Sequence, residues 1–167
     1  RSFQITSILP GFSTLENVAL AVQAQAGSSF RFFGRAAGEE ALNAPARAAL
    51  EEVGLDHRAH IRAGLLSHGE KRQLELAIAL SANPKVLLLD EPLAGTGPEE
   101  SAFLIGLLRR LKGRITILLI EHDMEAVFAL ADRVSVLVYG RIIATGTVDE
   151  VRNNPDVRVA YLGEETA

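Results

Sequence analysis

Cysteine is absent from the 167 residues. Its absence excludes disulfides, thiolate metal sites and cysteine nucleophiles, and accords with a reducing compartment. Tryptophan is missing too, and aromatics make up only 5%, so Leu, Ile, Val and Ala must fill the core, as they do between the sheet and helices of α/β domains. No apolar run approaches the roughly 20 residues of a membrane-spanning helix. The longest runs, Val86-Leu87-Leu88-Leu89 and Ile115 to Ile120, have strand length, and the chain is not expected to cross a bilayer. Positive charge is not in excess: 17 Lys+Arg against 21 Asp+Glu give a net charge of −4, which leaves no basic field to attract nucleic acid. The chain opens on Arg1-Ser2-Phe3-Gln4, without Met and without a signal-peptide pattern, and reads as cut. It has no internal repeat and no low-complexity run.

What is present is enough for a globular domain with a real core: 48% hydrophobic residues, 23% charged residues and 14 glycines. Ser13-x-x-Glu16 followed by Leu15, Val18, Ala19 and Val22 predicts a capped amphipathic helix from Ser13 to Ala26, ended by Gly27. Gly27 to Gly38 reads as a loop. Pro45 is expected near the first turn of a helix that runs to Val53 and stops at Gly54. A second box, Ser67-His68-Gly69-Glu70, opens a helix carrying Leu74, Ala77, Ile78 and Leu80 and closed by Asn83-Pro84. Beyond it, Val86 to Leu89, Ile115 to Ile120 and Val134 to Val138 are continuous apolar runs separated by helices, the pattern of parallel strands buried on both faces. Tyr139-Gly140-Arg141 turns into Ile142 to Ala144 as an antiparallel ribbon, Thr147-x-x-Glu150 caps a last helix, and Asn154-Pro155 leads into a tail.

The sharpest local signal is an apolar strand that ends in two acids, Val86-Leu87-Leu88-Leu89-Asp90-Glu91-Pro92. A carboxylate at the C-terminal end of a parallel strand faces the crevice where ligands bind in open α/β sheets, where it can hold Mg²⁺ through water while its neighbour orients another water. An Asp that merely caps the turn before Pro92 is the alternative. Ser67 and Gly69 place a hydroxyl and a backbone open to close approach at a helix N-terminus, where free amides and the helix dipole favour phosphate; an ordinary capping box is the alternative. Gly64 and Gly69 also have the spacing of a P-loop, but Glu70 stands where that loop requires Lys, Arg72 follows Lys71, and no buried strand precedes Gly64. No other G-x-x-x-x-G-K-[ST] occurs in the 167 residues. His122 lies at the tip of the Ile115 to Ile120 strand, with Asp123 behind it as a potential N-cap.

Taken in order, these features resemble the ATP-binding subunits of ABC transporters. Phe3-Gln4 resembles the Q-loop, Leu66-Ser67-His68-Gly69-Glu70 the L-S-G-G-Q signature with His68 and Glu70 substituted, and Asp90-Glu91 the Walker B aspartate with its catalytic glutamate. Ala94-Gly95-Thr96-Gly97-Pro98 matches the D-loop without its usual Asp, and His122 stands at the switch histidine. Glu16-Asn17-Val18, Gln23 to Gly27, His122-Asp123-Met124, Tyr139 to Ala144 and Tyr161-Leu162-Gly163-Glu164-Glu165 are most similar to the branched-chain amino acid importers.

The resemblance implies an α/β P-loop NTPase fold, incomplete here, with a helical subdomain and a mostly parallel sheet with flanking helices. It divides the chain into a Q-loop segment (1–12), a helical subdomain ending in the signature helix (13–82), a RecA-like core (83–146) and a C-terminal helix and tail (147–167). It implies ATP and Mg²⁺ as cofactors, with Gln4, Glu91 and His122 catalytic, Asp90 and Gln4 near the metal, and Ser67, His68, Gly69, Glu70 and Gly95 at the nucleotide. It further implies two such domains sandwiching two ATP molecules, each signature serving the other subunit's site. The other implied partners are membrane permease subunits and, indirectly, an extracytoplasmic solute-binding protein, at the cytoplasmic face of the membrane. Without a P-loop the 167 residues alone are expected to bind ATP weakly and turn over none. A non-catalytic fragment and a soluble ABC ATPase of translation or DNA repair are the competing readings.

Overall fold

The computed structural model describes residues 8–25 and 40–162. Gln4, the Gly27 to Gly38 stretch and the tail from Gly163 lie outside the described residues. The chain divides after Ile120 into two compact units.

In the first unit, α1 (Thr14–Gln25) starts as predicted. Ser13 Oγ accepts the Glu16 N–H at 3.2 Å and Glu16 Oε2 accepts the Ser13 N–H at 2.7 Å. Leu15, Val18 and Ala19 are buried along its inner face. Asn17 is also buried, and is satisfied: its Oδ1 accepts from Leu9 N–H at 2.8 Å and its amide donates to Leu9 O at 3.1 Å, fixing the chain that enters the helix.

α2 (Glu40–Glu52) corrects the expected position of Pro45, which stands inside the helix rather than in its first turn. A proline keeps helical φ, and only the carbonyl four residues earlier, near the helix start, loses its partner. The end of α2 is as read from Gly54. Its φ of +73° lets Gly54 N–H reach Glu51 O at 3.0 Å and Leu55 N–H reach Leu50 O at 2.8 Å, the paired closure of a Schellman ending. Leu50, Val53 and Leu55 are fully buried there.

α3 (His68–Ser81) packs on both α1 and α2, with Leu74, Leu76, Ala77 and Leu80 buried. β1 (Val86–Asp90), α4 (Pro98–Leu111) and β2 (Thr116–Ile120) follow, and the two strands pair in parallel with Val86 opposite Thr116 and Asp90 opposite Ile120. α4 buries Leu104, Leu107, Leu108 and Leu111, the spacing of a single helical face. The expectation of burial on both faces is not met among the described residues. Leu87 is buried, but Val86, Leu88, Leu118 and Ile120 are exposed. Residues alternate faces along a strand, so Asp90 shares the open face with Val86 and Leu88.

The second unit contains α5 (Met124–Leu130), β3 (Val134–Val138), β4 (Arg141–Gly146), α6 (Val148–Arg152) and α7 (Pro155–Val157). β3 and β4 form the predicted antiparallel ribbon. Tyr139 and Gly140 join them with φ of 48° and 76°, the left-handed pair of a two-residue hairpin turn. Among the described residues β3 has this antiparallel partner only, not the parallel one that its apolar run led us to expect. Val134, Val136, Val151 and Val157 form the unit's core. The Thr147–Glu150 box caps α6 as read. The segment after Asn154 is helical rather than a plain tail: Asn154 Oδ1 accepts the N–H groups of Asp156 and Val157, and Pro155 takes the first helical position.

Candidate functional site

Six hydrogen bonds hold the start of α3. Ser67 Oγ accepts the Glu70 N–H at 3.2 Å, and Glu70 Oε2 accepts the Ser67 N–H at 2.8 Å, so both halves of the capping box are made. The other carboxylate oxygen of Glu70 accepts from Arg58 Nε at 2.7 Å. These bonds, with the Ser67 backbone foremost, hold the Glu70 carboxyl below the usual carboxylate range. Gln73 donates to Val53 O at 3.1 Å, satisfying a carbonyl at the end of α2. One turn into the helix, Arg72 donates from Nη1 to Pro92 O and, at 2.8 Å, to Ala94 O.

Ser67 and His68 are exposed beyond this cap. Gly69 is closely approached from α4: a methyl group added to it would lie 2.5 Å from Glu100 Oε1. A shallow cleft joins Ser67, Gly69 and Glu70 to Thr96, Glu100 and Phe103.

At the C-terminal end of β1, Asp90 is exposed and Glu91 half-buried. Glu91 has a φ of 45°. That is uncommon for a residue with a Cβ, costs on the order of 1–3 kcal/mol, and persists where its surroundings over-determine it. Here they do. Glu91 N–H donates to Ile120 O at 2.8 Å, across the end of the parallel pair, and Ala94 N–H donates to Glu91 O at 3.1 Å. The loop then closes through Thr96, whose hydroxyl donates to Leu93 O at 2.7 Å and lies 2.6 Å from Ser101 Oγ. Gly95 is exposed with a φ of 72°. A cavity of about 440 Å³ runs beside these acids, lined by Arg72, Glu75, Leu76, Leu88, Asp90 and Glu91 among others. Burial pushes the Glu75 carboxyl up, against the pull of Arg72 and His68 on its own helix.

Within the first unit, the Ser67 to Glu70 turn lines one cleft and Asp90-Glu91 a separate cavity, with Gly95 in the loop that follows Glu91. His122 belongs to the second unit, exposed, with its N–H accepted by Glu121 Oε2 at 3.2 Å. Asp123 caps α5, its Oδ1 accepting from Glu125 and Ala126 N–H. Gln4 lies outside the described residues. The described residues contain no cluster of three His, Asp or Glu side chains that would cage a metal. The Asp90 carboxylate at a strand end fits instead a hard cation held mainly by phosphate and water.

Sequence reasoning missed Arg72 and Asn17. A signal existed for Arg72: a cation near a helix N-terminus opposes the macrodipole, and its presence calls for a compensating partner.

A family model described as "ABC transporter" matches residues 2–94 and one described as "Branched-chain amino acid ATP-binding cassette transporter" matches 141–167. The high-affinity branched-chain amino acid transport ATP-binding protein LivG of Salmonella typhimurium is 41% identical over 175 aligned positions, covering 98% of this chain and 67% of LivG. BraF of Pseudomonas aeruginosa, of the same description, is 44% identical over 117 positions, 69% of this chain and 46% of BraF. Among solved structures, a nucleotide-free ATP-binding cassette from an ABC transporter superposes with a TM-score of 0.77 at 30% identity, covering 98% of this chain and 68% of that one. An ATP-binding cassette in its ADP conformation gives 0.75 at 31%, covering 93% and 65%. The chain spans about two thirds of the length of LivG and of these two structures. It belongs to the ABC transporter ATP-binding family, whose members hydrolyse ATP to power transport.

Proposed function

We propose that this chain is part of the ATP-hydrolysing subunit of an ABC importer for branched-chain amino acids or a related small solute. The observation that carries the reading is the backbone of Glu91, held left-handed at the tip of β1 by Ile120 O and Ala94 N–H. Such strain at the end of a strand is kept where it aims a side chain. In this reading Glu91 orients the attacking water or takes its proton, and Asp90 holds Mg²⁺, which when bound neutralises charge on the β- and γ-phosphates. Gln4 and His122 sense the γ-phosphate. Ser67, His68, Gly69 and Glu70 form the turn presented to a second subunit's ATP, with Gly95 in the loop at the dimer seam. Within that turn Glu70 is engaged by Ser67 and Arg58. Its part is therefore to fix the helix start, while the Ser67 hydroxyl and the amides near Gly69 meet phosphate.

The domain division at 1–12, 13–82, 83–146 and 147–167 is kept as the functional one. The partners are a second ATPase subunit, permease subunits and, through them, a solute-binding protein, with no nucleic acid. None of the described helices is long and apolar enough to cross a membrane, which suits a peripheral subunit at the cytoplasmic face. The branched-chain solute rests on the likeness to LivG and BraF.

The test is co-purification of the full-length polypeptide with its membrane complex, followed by ATPase assay in liposomes with the solute-binding protein. Leucine, isoleucine or valine should stimulate hydrolysis. Stimulation only by chemically unrelated solutes would overturn the substrate assignment, and recovery on ribosomes or DNA instead of membranes would favour a soluble ABC ATPase.

A further inference from the structure

We propose that Arg72 is a positioning residue that couples the two nucleotide sites of the dimer, an inference that rests on the functional reading above. Arg72 sits on α3, five residues after Ser67, and its guanidinium donates to the carbonyls of both Pro92 and Ala94. Those carbonyls flank the turn that follows Glu91, and Ala94 N–H in turn donates to Glu91 O. One side chain therefore ties the phosphate-facing helix to the loop that keeps Glu91 left-handed. A second observation places Arg72 between the two: it lines both the cavity beside Asp90 and Glu91 and the cleft beside Ser67 and Gly69, and among the described residues no other charged side chain lines both.

The consequence follows from the geometry of a two-ATP sandwich. Within one subunit, Ser67 and Gly69 serve the partner's ATP, whereas Asp90 and Glu91 serve its own. A rigid link between them makes docking of α3 on one nucleotide a determinant of where Glu91 stands at the other. Both donations leave Nη1, whose two N–H bonds lie in the fixed plane of the guanidinium, so together they set the loop's orientation as well as its distance. Lysine, a point charge on a flexible stem, would hold the loop without fixing its orientation.

The experiment uses the full-length protein in its transporter complex, with Arg72→Lys and Arg72→Gln. A displaced loop should lower kcat roughly 100-fold in the Gln variant while ATP binding, measured on Glu91→Gln backgrounds, stays within about 2-fold. The Hill coefficient for ATP should fall to about 1, and Lys should restore part of kcat but little of the cooperativity. Ser67→Ala and Arg72→Gln should be non-additive in a double-mutant cycle. Amide hydrogen exchange of residues 90–96, which needs no turnover, should quicken in both Arg72 variants.

Unchanged kcat and cooperativity in Arg72→Gln would overturn the coupling, as would a rise in KM alone. Unchanged exchange over residues 90–96 would overturn the clamp itself. If Arg72→Gln does not assemble, full cooperativity in Arg72→Lys overturns the proposal and its loss supports it. A wild-type complex that hydrolyses no ATP while the exchange result holds would count against the functional reading rather than the clamp.

Discussion

Ser67 and Glu70 cap each other across the first turn of α3, Oγ to backbone N–H at 3.2 Å and backbone N–H to Oε2 at 2.8 Å. The Glu70 carboxyl is held below the usual carboxylate range, chiefly by the Ser67 backbone N–H, and Glu16 is held low by the same kind of box with Ser13. A carboxyl with a depressed folded pKa stabilises above its unfolded pKa, and that contribution is lost as pH falls through the folded value. The melting temperature should therefore decline as pH drops below about 4.5, and Glu16→Gln with Glu70→Gln should flatten the decline. Circular dichroism melts from pH 3 to 7 check it, and an unchanged slope in the double variant would contradict the assignment.

Glu75 carries the opposite sign. Its carboxyl is raised by burial beside the cavity, so the charged form is disfavoured by folding. Stability from that source is complete below the unfolded pKa and is lost as pH rises through the folded value. Glu75→Gln should melt higher than wild type at pH 7 and show no advantage at pH 4. Equal gains at both pH values would point to packing instead of charge.

Gly69 is closely approached from α4, because any Cβ there meets the Glu100 side chain. The obstacle is the far end of a flexible carboxylate, so Gly69→Ala should cost about 1 kcal/mol or less in stability, within the range of ordinary surface changes. The displaced carboxylate and the new methyl both crowd the approach to the helix amides, so ATP-dependent dimerisation should weaken about 10-fold or more. Light scattering with Glu91→Gln protein and ATP separates this from a folding defect. Normal dimerisation would remove Gly69 from the phosphate-facing turn.

Much of this was legible in the sequence, and for identifiable reasons. The caps at Ser13, Ser67, Asp123 and Thr147 are local, set by a short side chain and the amides two or three residues on, and all four form as read. Gly54 announced the end of α2 and Tyr139-Gly140 the hairpin turn, again through local backbone preference. What could not be read depends on contacts between distant segments. The position of Pro45 within α2 is set by where the helix begins, and the open face of Val86, Leu88, Leu118 and Ile120 by what packs there, neither of which the apolar pattern encodes. The Arg72 bonds to Pro92 and Ala94 span 20 and 22 residues. The left-handed Glu91 follows from its bonds to Ile120 and Ala94 and from no propensity of Glu itself.

The proposed division of labour has Glu91 act on water while Asp90 and the Ser67 turn bind. It is tested most directly by single-turnover ATP hydrolysis in the full-length transporter complex carrying Glu91→Gln. ATP should be bound and held in a stable dimer while the hydrolysis rate falls by about 100-fold or more. Hydrolysis within a few-fold of wild type, or loss of ATP binding in that variant, would contradict it.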